Sequence, residues 1–266
     1  MVEKQQLSGS PQTLPNVGLF ATCLVDLMRP SVGFAAAHLL EQAGCRVSVP
    51  ESQTCCGQPA YNAGDNGNSR AIALNVLAAF AGFDYVVAPS GSCAAMIRVH
   101  YPRLFADDTG KSQQFQALAD KTYELTSFLR DVMEVDDFKA KFEGQVTYHD
   151  ACAGLRELGI KEQPRALLAK VSGLQLVEAE DGEGCCGFGG LFSVKYPDIS
   201  ASMVDNKVDA LLATGAGTVV GGDLGCLINM AGRLKRRGAA LDVRHVAEIL
   251  AATSQQTPPI AGRDPD

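Results

Sequence analysis

Eight of the nine cysteines in this 266-residue chain fall into two copies of one pattern: a single cysteine, an adjacent pair and another single cysteine. The intervals are 32, 1 and 37 residues in the first copy and 33, 1 and 40 in the second, and a glycine follows each adjacent pair. The first cysteine set is Cys23, Cys55, Cys56 and Cys93, and the second cysteine set is Cys152, Cys185, Cys186 and Cys226. This repetition predicts two similar halves that share one chemistry.

Four thiolates in each half are a donor set for a soft metal centre. A glycine turn directly after the adjacent pair lets two neighbouring sulfurs approach one centre, which a straight strand would not allow. Iron–sulfur clusters are held by four cysteine thiolates, whereas structural zinc sites favour two local Cys-x-x-Cys turns, which are absent here. The spacing therefore favours iron–sulfur binding, with zinc binding, thiol–disulfide exchange and simple burial as the alternatives. The ninth cysteine, Cys45, is expected to be a small core residue.

Composition and charge describe an ordinary globular protein and restrict its partners. The apolar fraction is 46%, the charged fraction 20% and the net charge −7. An acidic chain has no basic surplus with which to bind nucleic acid, and the basic run Arg233–Arg237 is typical of a solvated helix end. No export signal or membrane-spanning segment is recognisable, so we expect a cytoplasmic protein in a reducing compartment, where many cysteines point to metal or redox chemistry.

The elements between the cysteines alternate between short apolar strands and amphipathic helices, which predicts an α/β fold with parallel sheets. Strands are predicted at 17–22, 46–50, 84–88, 145–149, 174–178, 217–221 and 241–244. Helices are predicted at 31–44, 69–81, 162–172, 199–213, 226–237 and 245–252, with a passage from strand to helix at 123–133. We expect two tandem pseudo-symmetric repeats, 16–135 and 144–252, joined by a linker and flanked by disordered tails at 1–15 and 253–266.

Each repeat is expected to be a small parallel sheet flanked by helices, with the cysteines at the carboxyl ends of the strands. Ligands of such sheets collect outside these ends, so sulfurs from three loops can converge there. A helix that begins at the same place favours thiolate over thiol. The predicted fold therefore suits a metal centre in each half.

Several motifs together resemble the cysteine-rich CCG-domain family. They are Thr54-Cys55-Cys56-Gly57-Gln58-Pro59, the run from Gly184 to Ser193, His149-Asp150-Ala151-Cys152 and Pro89-Ser90-Gly91-Ser92-Cys93. That family includes the CCG-domain subunit of heterodisulfide reductase, the iron–sulfur subunit of glycolate oxidase and the lactate utilization protein A family, which the chain resembles most. The resemblance covers about residues 17–252 and implies that all eight cysteines of the two sets ligate iron–sulfur clusters.

The resemblance also implies a role in L-lactate oxidation to pyruvate. The expected protein is an electron-transfer oxidoreductase subunit that works with other iron–sulfur subunits, while L-lactate itself binds this chain or a partner. Any contact with the membrane would be peripheral, through those partners. The alternatives are a thiol or disulfide reductase like heterodisulfide reductase and a zinc-binding scaffold.

One departure from the CCG-domain subunit of heterodisulfide reductase bears on the cluster type. Where that protein ends each pattern in Cys-x-x-Cys, this chain has Met96 after Cys93 and Asn229 after Cys226. Both halves therefore lack the fifth thiolate that non-cubane clusters use. The expectation is a four-cysteine cluster, 4Fe-4S, with one or two clusters per chain.

Other polar residues lie near the cysteines in sequence, but none is assigned a catalytic role. His149 and Asp150 precede Cys152 and are expected to be structural rather than proton donors, and His245 is expected to cap the last helix. Three cations near the cysteines, Arg29, Arg98 and Lys195, are expected to be ion-pair partners more than cluster or carboxylate contacts. The G-x-G-x-x-G match at Gly182–Gly187 contains the second cysteine pair and no predicted helix begins directly after it, which argues against a nicotinamide or flavin site.

Overall fold

A computed structural model describes residues 14–260 of the chain. The first half contains β1 (Asn16–Leu19), α1 (Cys23–Met28), α2 (Pro30–Gln42), β2 (Arg46–Ser48), α3 (Gln58–Asn62), α4 (Asn66–Ala79), β3 (Tyr85–Ala88), α5 (Gly91–Ala95), α6 (Tyr101–Leu104), α7 (Thr109–Asp120), β4 (Thr122–Glu124) and α8 (Leu125–Ser127). Two π-helical turns, Met96–His100 and Phe128–Val132, continue α5 and α8.

The second half repeats the scheme with β5 (Lys141–His149), α9 (Cys152–Leu158), α10 (Glu162–Leu168), β6 (Ser172–Leu176), α11 (Leu191–Lys195), α12 (Pro197–Ala213), β7 (Thr218–Gly221), α13 (Leu224–Arg236), β8 (Asp242–His245) and α14 (Val246–Leu250). Among the described residues, none of these helices is long and apolar enough to cross a membrane.

Each half holds one four-stranded sheet in which all pairs are parallel. The strand orders are β2-β1-β3-β4 and β6-β5-β7-β8, and Val17 of the central strand β1 lies beside Val47 on one side and Tyr85 on the other. The chain leaves β1 toward one edge and later returns to the other side of it, so the order reverses between β1 and β3. The predicted α/β fold with two repeats is confirmed.

The cysteines follow the strands that flank this reversal point, where ligands of open parallel sheets collect. Cys23 and Cys152 are the first residues of α1 and α9, directly after β1 and β5. Cys93 and Cys226 lie in the first turns of α5 and α13, after β3 and β7. The adjacent pairs lie in the loops that follow β2 and β6.

The two halves share one hydrophobic core instead of packing independently. Buried residues of both sheets, such as Val17 and Val146, belong to the same apolar cluster. The last helix of the second half, α14, packs on α2 of the first, and α10 packs on α8. A second cluster of buried residues, with several aromatic rings, lies inside the first half alone.

A buried ion pair fixes the contact between α14 and α2. Arg29 donates to both carboxylate oxygens of Glu248, at 2.9 and 3.1 Å, and Ser31 donates to the same carboxylate at 2.7 Å. The Glu248 side chain is 0% exposed, so its charge depends on these partners. Arg29 therefore joins the two ends of the chain, in keeping with its expected role as an ion-pair partner.

The terminal regions differ from the sequence-based prediction in part. Residues 1–13 and 261–266, most of the two predicted tails, lie outside the described residues. The segment from Thr253 to Ile260 is not loose, because Ile260 is buried and donates through its backbone N–H to Val243 at 2.8 Å. Arg29 and Arg244 also donate to the carbonyls of Pro258 and Thr257, so this segment packs on the rest of the chain in the structure.

Candidate metal centre

The first cysteine set converges at one end of the first sheet. The Sγ atoms of Cys23 and Cys55 lie 3.9 Å apart, and those of Cys56 and Cys93 lie 3.4 Å apart. Cys56 and Cys93 are buried, whereas Cys23 and Cys55 are partly exposed. The structure therefore brings together the four sulfurs that the sequence grouped.

The second cysteine set repeats this arrangement. Cys186 and Cys226 are buried, and Cys152 and Cys185 are partly exposed. The sulfurs of Cys186 and Cys226 and a ring nitrogen of His149 all lie within 4.8 Å of one another. Four sulfurs and one imidazole thus meet in this half.

The glycine after each pair shapes both sites in the same way. Gly57 and Gly187 have φ values of +77° and +76°, a left-handed conformation that side chains oppose. This turn places the backbone N–H of each glycine 3.4 Å from the Sγ atom two residues earlier, Cys55 or Cys185. One cysteine of each pair can then stay partly exposed while the other is buried.

Hydrogen bonding within each set favours a thiolate at a fixed position. Hydrogen bonds from Cys23 and Cys56 lower the pKa of Cys55 far below the ordinary thiol value. Hydrogen bonds from Cys152 and Cys186 lower the pKa of Cys185 in the same way. The thiolate is the form that binds metals, so each set is prepared to give up its first proton.

All eight cysteines line a single cavity of about 280 Å³ between the two halves. Its other walls are mostly apolar and include Leu24, Pro59 and Phe188. One water needs only ~10–15 Å³, so the cavity exceeds what two single ions require. Soft sulfur donors around a space of this size fit iron–sulfur clusters.

A shared carboxylate holds the two sites together at this cavity. Asp223 accepts a hydrogen bond from the Gly225 N–H of its own helix α13 at 3.2 Å. It also accepts from the Ser92 N–H of α5 at 2.9 Å and from the Ser90 hydroxyl at 3.1 Å. Since α5 carries Cys93 and α13 carries Cys226, Asp223 fixes the fourth cysteines of both sets relative to each other.

His149 and Asp150, which both precede Cys152, differ in their hydrogen bonding. Asp150 is held by two hydrogen bonds from Arg165, at 2.9 and 2.8 Å, so it has the structural role expected for it. His149 is fully buried, yet neither of its ring nitrogens has a hydrogen-bond partner within the described range 14–260. The prediction that His149 is a satisfied structural residue is therefore wrong.

Other residues singled out from the sequence have structural partners. His245 caps α14 by accepting from the Ala247 N–H at 3.1 Å, as predicted. Arg98 donates to the Thr122 carbonyl at 2.7 Å. Cys45 is buried, 3.8 Å from the Met133 sulfur, which confirms it as a core residue.

Three further observations concern residues beyond the cysteine sets. Lys195 is exposed on α11. Met96 is fully buried in the core. The Asn229 amide donates to the Cys186 carbonyl at 2.8 Å. The positions that hold a fifth cysteine in the heterodisulfide reductase protein thus serve packing and loop support in this chain.

Sequence reasoning missed two buried charged residues near the sites. Lys207 is fully buried in α12 and donates to the carbonyls of Asp181 and Gly182, both at 2.7 Å. Glu124 is buried at the end of β4, where desolvation raises its pKa to about 7 although Thr126 and Ser127 donate to it. Lys207 was detectable as a charge on the apolar face of a predicted helix.

Comparison with known proteins agrees with this geometry. The family model of the cysteine-rich CCG domain matches residues 17–98 and 146–231, and each match includes one complete cysteine set. Lactate utilization protein A of an Exiguobacterium species is 49% identical over 239 residues, which cover 89% of this chain and 97% of that protein. The chain belongs to the lactate utilization protein A family.

Further relatives in the lactate utilization protein A family match over similar lengths. The Geobacillus protein is 49% identical over 234 residues, 88% of this chain and 98% of that protein. The Bacillus cytotoxicus protein is 46% identical over 238 residues, 90% of this chain and 99% of that protein. The likeness therefore covers both cysteine sets.

A solved structure shares the fold at much lower identity. A hypothetical protein from Helicobacter pylori superposes with a TM-score of 0.66 at 11% identity. The match covers 97% of this chain and 50% of that chain, so this chain spans half the length of the Helicobacter protein. This likeness concerns the fold alone.

Proposed function

We propose that this chain is an iron–sulfur electron-transfer subunit of a system that oxidises L-lactate to pyruvate. Each cysteine set would bind one cluster, 4Fe-4S, through its four thiolates. The observation that carries the proposal is the convergence of two four-cysteine sets on one cavity. The substrate is suggested by the name of the relatives, lactate utilization protein A.

The roles of the chain's own residues follow from the contacts. The cysteine thiolates hold the clusters, and the N–H groups of Gly57 and Gly187 face sulfurs of each set. Asp223 fixes the position of one set relative to the other. Clusters bound there supply one-electron transfer. Because all eight ligands border one space, an electron can pass between the halves without leaving the protein.

The cavity lining supports placing lactate on a partner subunit. Apart from the cysteines, Asp223 is the one ionisable side chain among the described residues of this lining, and it carries the wrong charge for a carboxylate substrate. Binding of a carboxylate is usually achieved by arginine or lysine. We therefore propose other iron–sulfur subunits as partners, which take the electrons from lactate or receive them from this chain.

The test compares Cys185→Ser with Cys45→Ser in protein purified without oxygen. Cys185→Ser should lower iron and acid-labile sulfide to about half, since one of two sets is broken, and abolish lactate-dependent electron flow in the assembled system. Cys45→Ser should keep full iron, because Cys45 faces Met133 in the core. Full iron and full activity in Cys185→Ser would contradict the proposal.

A zinc-binding scaffold is the second candidate, because the sulfur spacing suits a single ion. A tetrahedral zinc with Zn–S bonds of about 2.3 Å places its sulfurs ~3.8 Å apart, close to the 3.9 Å between Cys23 and Cys55. The volume of the shared cavity favours the larger cluster. Zinc without sulfide in protein never exposed to air would favour the scaffold.

A further inference from the structure

The two cysteine sets differ at two buried positions that the repeat makes equivalent. Phe20 stands three residues before Cys23, as His149 stands three residues before Cys152. Both side chains are 0% exposed. The first site therefore has an apolar ring where the second has an imidazole.

The second position lies on the long helix that follows each cysteine pair, which is α4 in the first half and α12 in the second. Ile72 of α4 faces Gly57, and Met203 of α12 faces Gly187. Four residues further along these helices, one turn on, stand Val76 and Lys207. Both are 0% exposed, so a buried valine in the first half corresponds to a buried ammonium in the second.

His149 is oriented toward the second cysteine set. A ring nitrogen lies within 4.8 Å of the sulfurs of Cys186 and Cys226. Neither nitrogen has a hydrogen-bond partner in the part of the chain that the structure describes, and a buried donor left unpaired is destabilising. An imidazole carries an N–H in either protonation state, so His149 has a donor to offer to this site.

Lys207 adds positive charge beside the same site. Its Nζ donates to two carbonyls of the loop that leads into Cys185 and Cys186. Burial lowers the pKa of Lys207, and the charges of Asp181, Asp150 and Cys186 act against that shift. Of these carboxylates, Asp181 is exposed and Asp150 is paired with Arg165.

We propose that His149 and Lys207 make the second site the electron-accepting one, by giving the group bound there a higher reduction potential than the group in the first site. The inference rests on the proposed iron–sulfur function. Adding an electron makes a cluster more negative, so a nearby cation and an N–H donated to sulfur stabilise the reduced form. The apolar Phe20 and Val76 give no such stabilisation to the first site.

The electron balance is a one-electron exchange within the chain. The first group loses one electron and is oxidised, the second gains it and is reduced, and no proton or bond is transferred. The electron that enters the two bound groups comes from a low-potential one-electron donor, which is dithionite in the experiment below. His149 and Lys207 act as positioning and electrostatic residues that leave iron ligation to the cysteines.

The test is a redox titration of the full chain, purified without oxygen and followed by electron paramagnetic resonance. Cys55→Ser and Cys185→Ser, each with one set broken, assign the two potentials. The variants His149→Phe and Lys207→Met remove the polar groups, and Lys195→Met removes an exposed lysine of the same half as a control. Iron and sulfide per chain are measured for every sample.

We expect the second group to have the higher potential in the unmodified chain. His149→Phe and Lys207→Met should each shift the electron distribution toward the first group by about tenfold, which is ~59 mV for a one-electron couple, with iron content unchanged. Lys195→Met should leave the distribution unchanged, since water screens an exposed charge. Nitrogen-15 labelling of histidine should give a weak nuclear coupling in the reduced second group of the unmodified protein, which needs no substitution to fold.

Three results would overturn the inference. With full iron, equal potentials or a higher potential in the first group would refute it while leaving the iron–sulfur assignment intact. Unchanged potentials in both His149→Phe and Lys207→Met would do the same. Protein that contains zinc and no sulfide would refute the proposed function, and the inference with it.

Discussion

Replacing the glycine after a cysteine pair tests how the backbone shapes each site. Gly187 has a φ of +76°, and an added Cβ would lie 2.6 Å from the Ser200 carbonyl oxygen and 3.0 Å from the Met203 Cβ. The first atom belongs to the backbone of α12, so it cannot move away without shifting the helix. Gly187→Ala should therefore displace the loop that carries Cys185 and Cys186.

The magnitude has two parts. A side chain in the left-handed conformation costs roughly 1–2 kcal/mol, and forcing a methyl group into packed surroundings costs roughly 1–3 kcal/mol more. Gly57→Ala has the same conformational cost, but its Cβ would meet only the side chain of Ile72, at 3.2 Å, among the described residues. Gly64→Ala has a φ of +79° with no other described residue within 4 Å of its Cβ, so it has the conformational cost alone.

The assay measures the melting temperature and iron per chain for all three variants. In a protein of this size, 1 kcal/mol corresponds to a shift of roughly 2–4 °C. We expect Gly187→Ala to lose the most stability and about half of its iron, Gly57→Ala to be intermediate, and Gly64→Ala to keep all its iron. Equal melting temperatures and full iron in Gly187→Ala and Gly64→Ala would refute the reasoning.

Three further predictions concern buried groups outside the sulfur ligands. Arg29→Met leaves the Glu248 carboxylate buried without its ion-pair partner, so the free energy of unfolding should fall by roughly 3–5 kcal/mol, measured by urea unfolding against the exposed-site variant Lys195→Met. The folded-state pKa of Glu124, about 7, lies above the ordinary value of 4.5, so the folded state binds the proton more tightly and stability should fall between pH 4.5 and 7, by about 3 kcal/mol in total. Glu124→Gln should flatten that slope, and an unchanged slope would contradict the assignment. Cys45→Ala should keep full iron, and any loss of iron would make Cys45 a ligand.

The sequence contained most of what determines the fold near the cysteines. Strands β1, β3 and β7 were recognisable because each is a short apolar run with a cysteine within the next five residues, and the repeat required the same order in both halves. Strand β5 was predicted only from residue 145, because its first residues, from Lys141, are mostly polar. The strand β4 was only placed within a passage from strand to helix, since its three residues, Thr122–Glu124, form no apolar run. The helix α10 ends at Leu168, four residues before its predicted end, because the chain turns there to begin β6.

Long-range contacts could not be predicted from local patterns. The pairing of Arg29 with Glu248 joins residues 219 apart in sequence, so neither residue indicates the other. The packing of α14 on α2 depends on the same contact. Arg29 also holds the segment from Thr253 to Ile260 through the Pro258 carbonyl. The predicted ranges 16–135 and 144–252 stay a prediction, although the shared core joins them.

At the site, too, local features could be predicted from the sequence and long-range contacts could not. The grouping of the cysteines followed from their spacing, but the sharing of Asp223 between α5 and α13 depends on how the two halves face each other. Lys207 was overlooked because a lysine on a helix is usually solvated. His149 was judged structural because histidines at strand ends usually find partners, and only the folded chain shows that its nitrogens lack one among residues 14–260.

The most direct test of the account is the metal content of the full chain purified without oxygen. Iron, acid-labile sulfide and zinc are measured per chain, with an electron paramagnetic resonance spectrum of the same sample after reduction. Two four-iron clusters predict about eight iron and eight sulfide, with signals of two interacting or separate centres. Zinc without sulfide, or neither metal, would contradict the claim that the two cysteine sets hold iron–sulfur clusters.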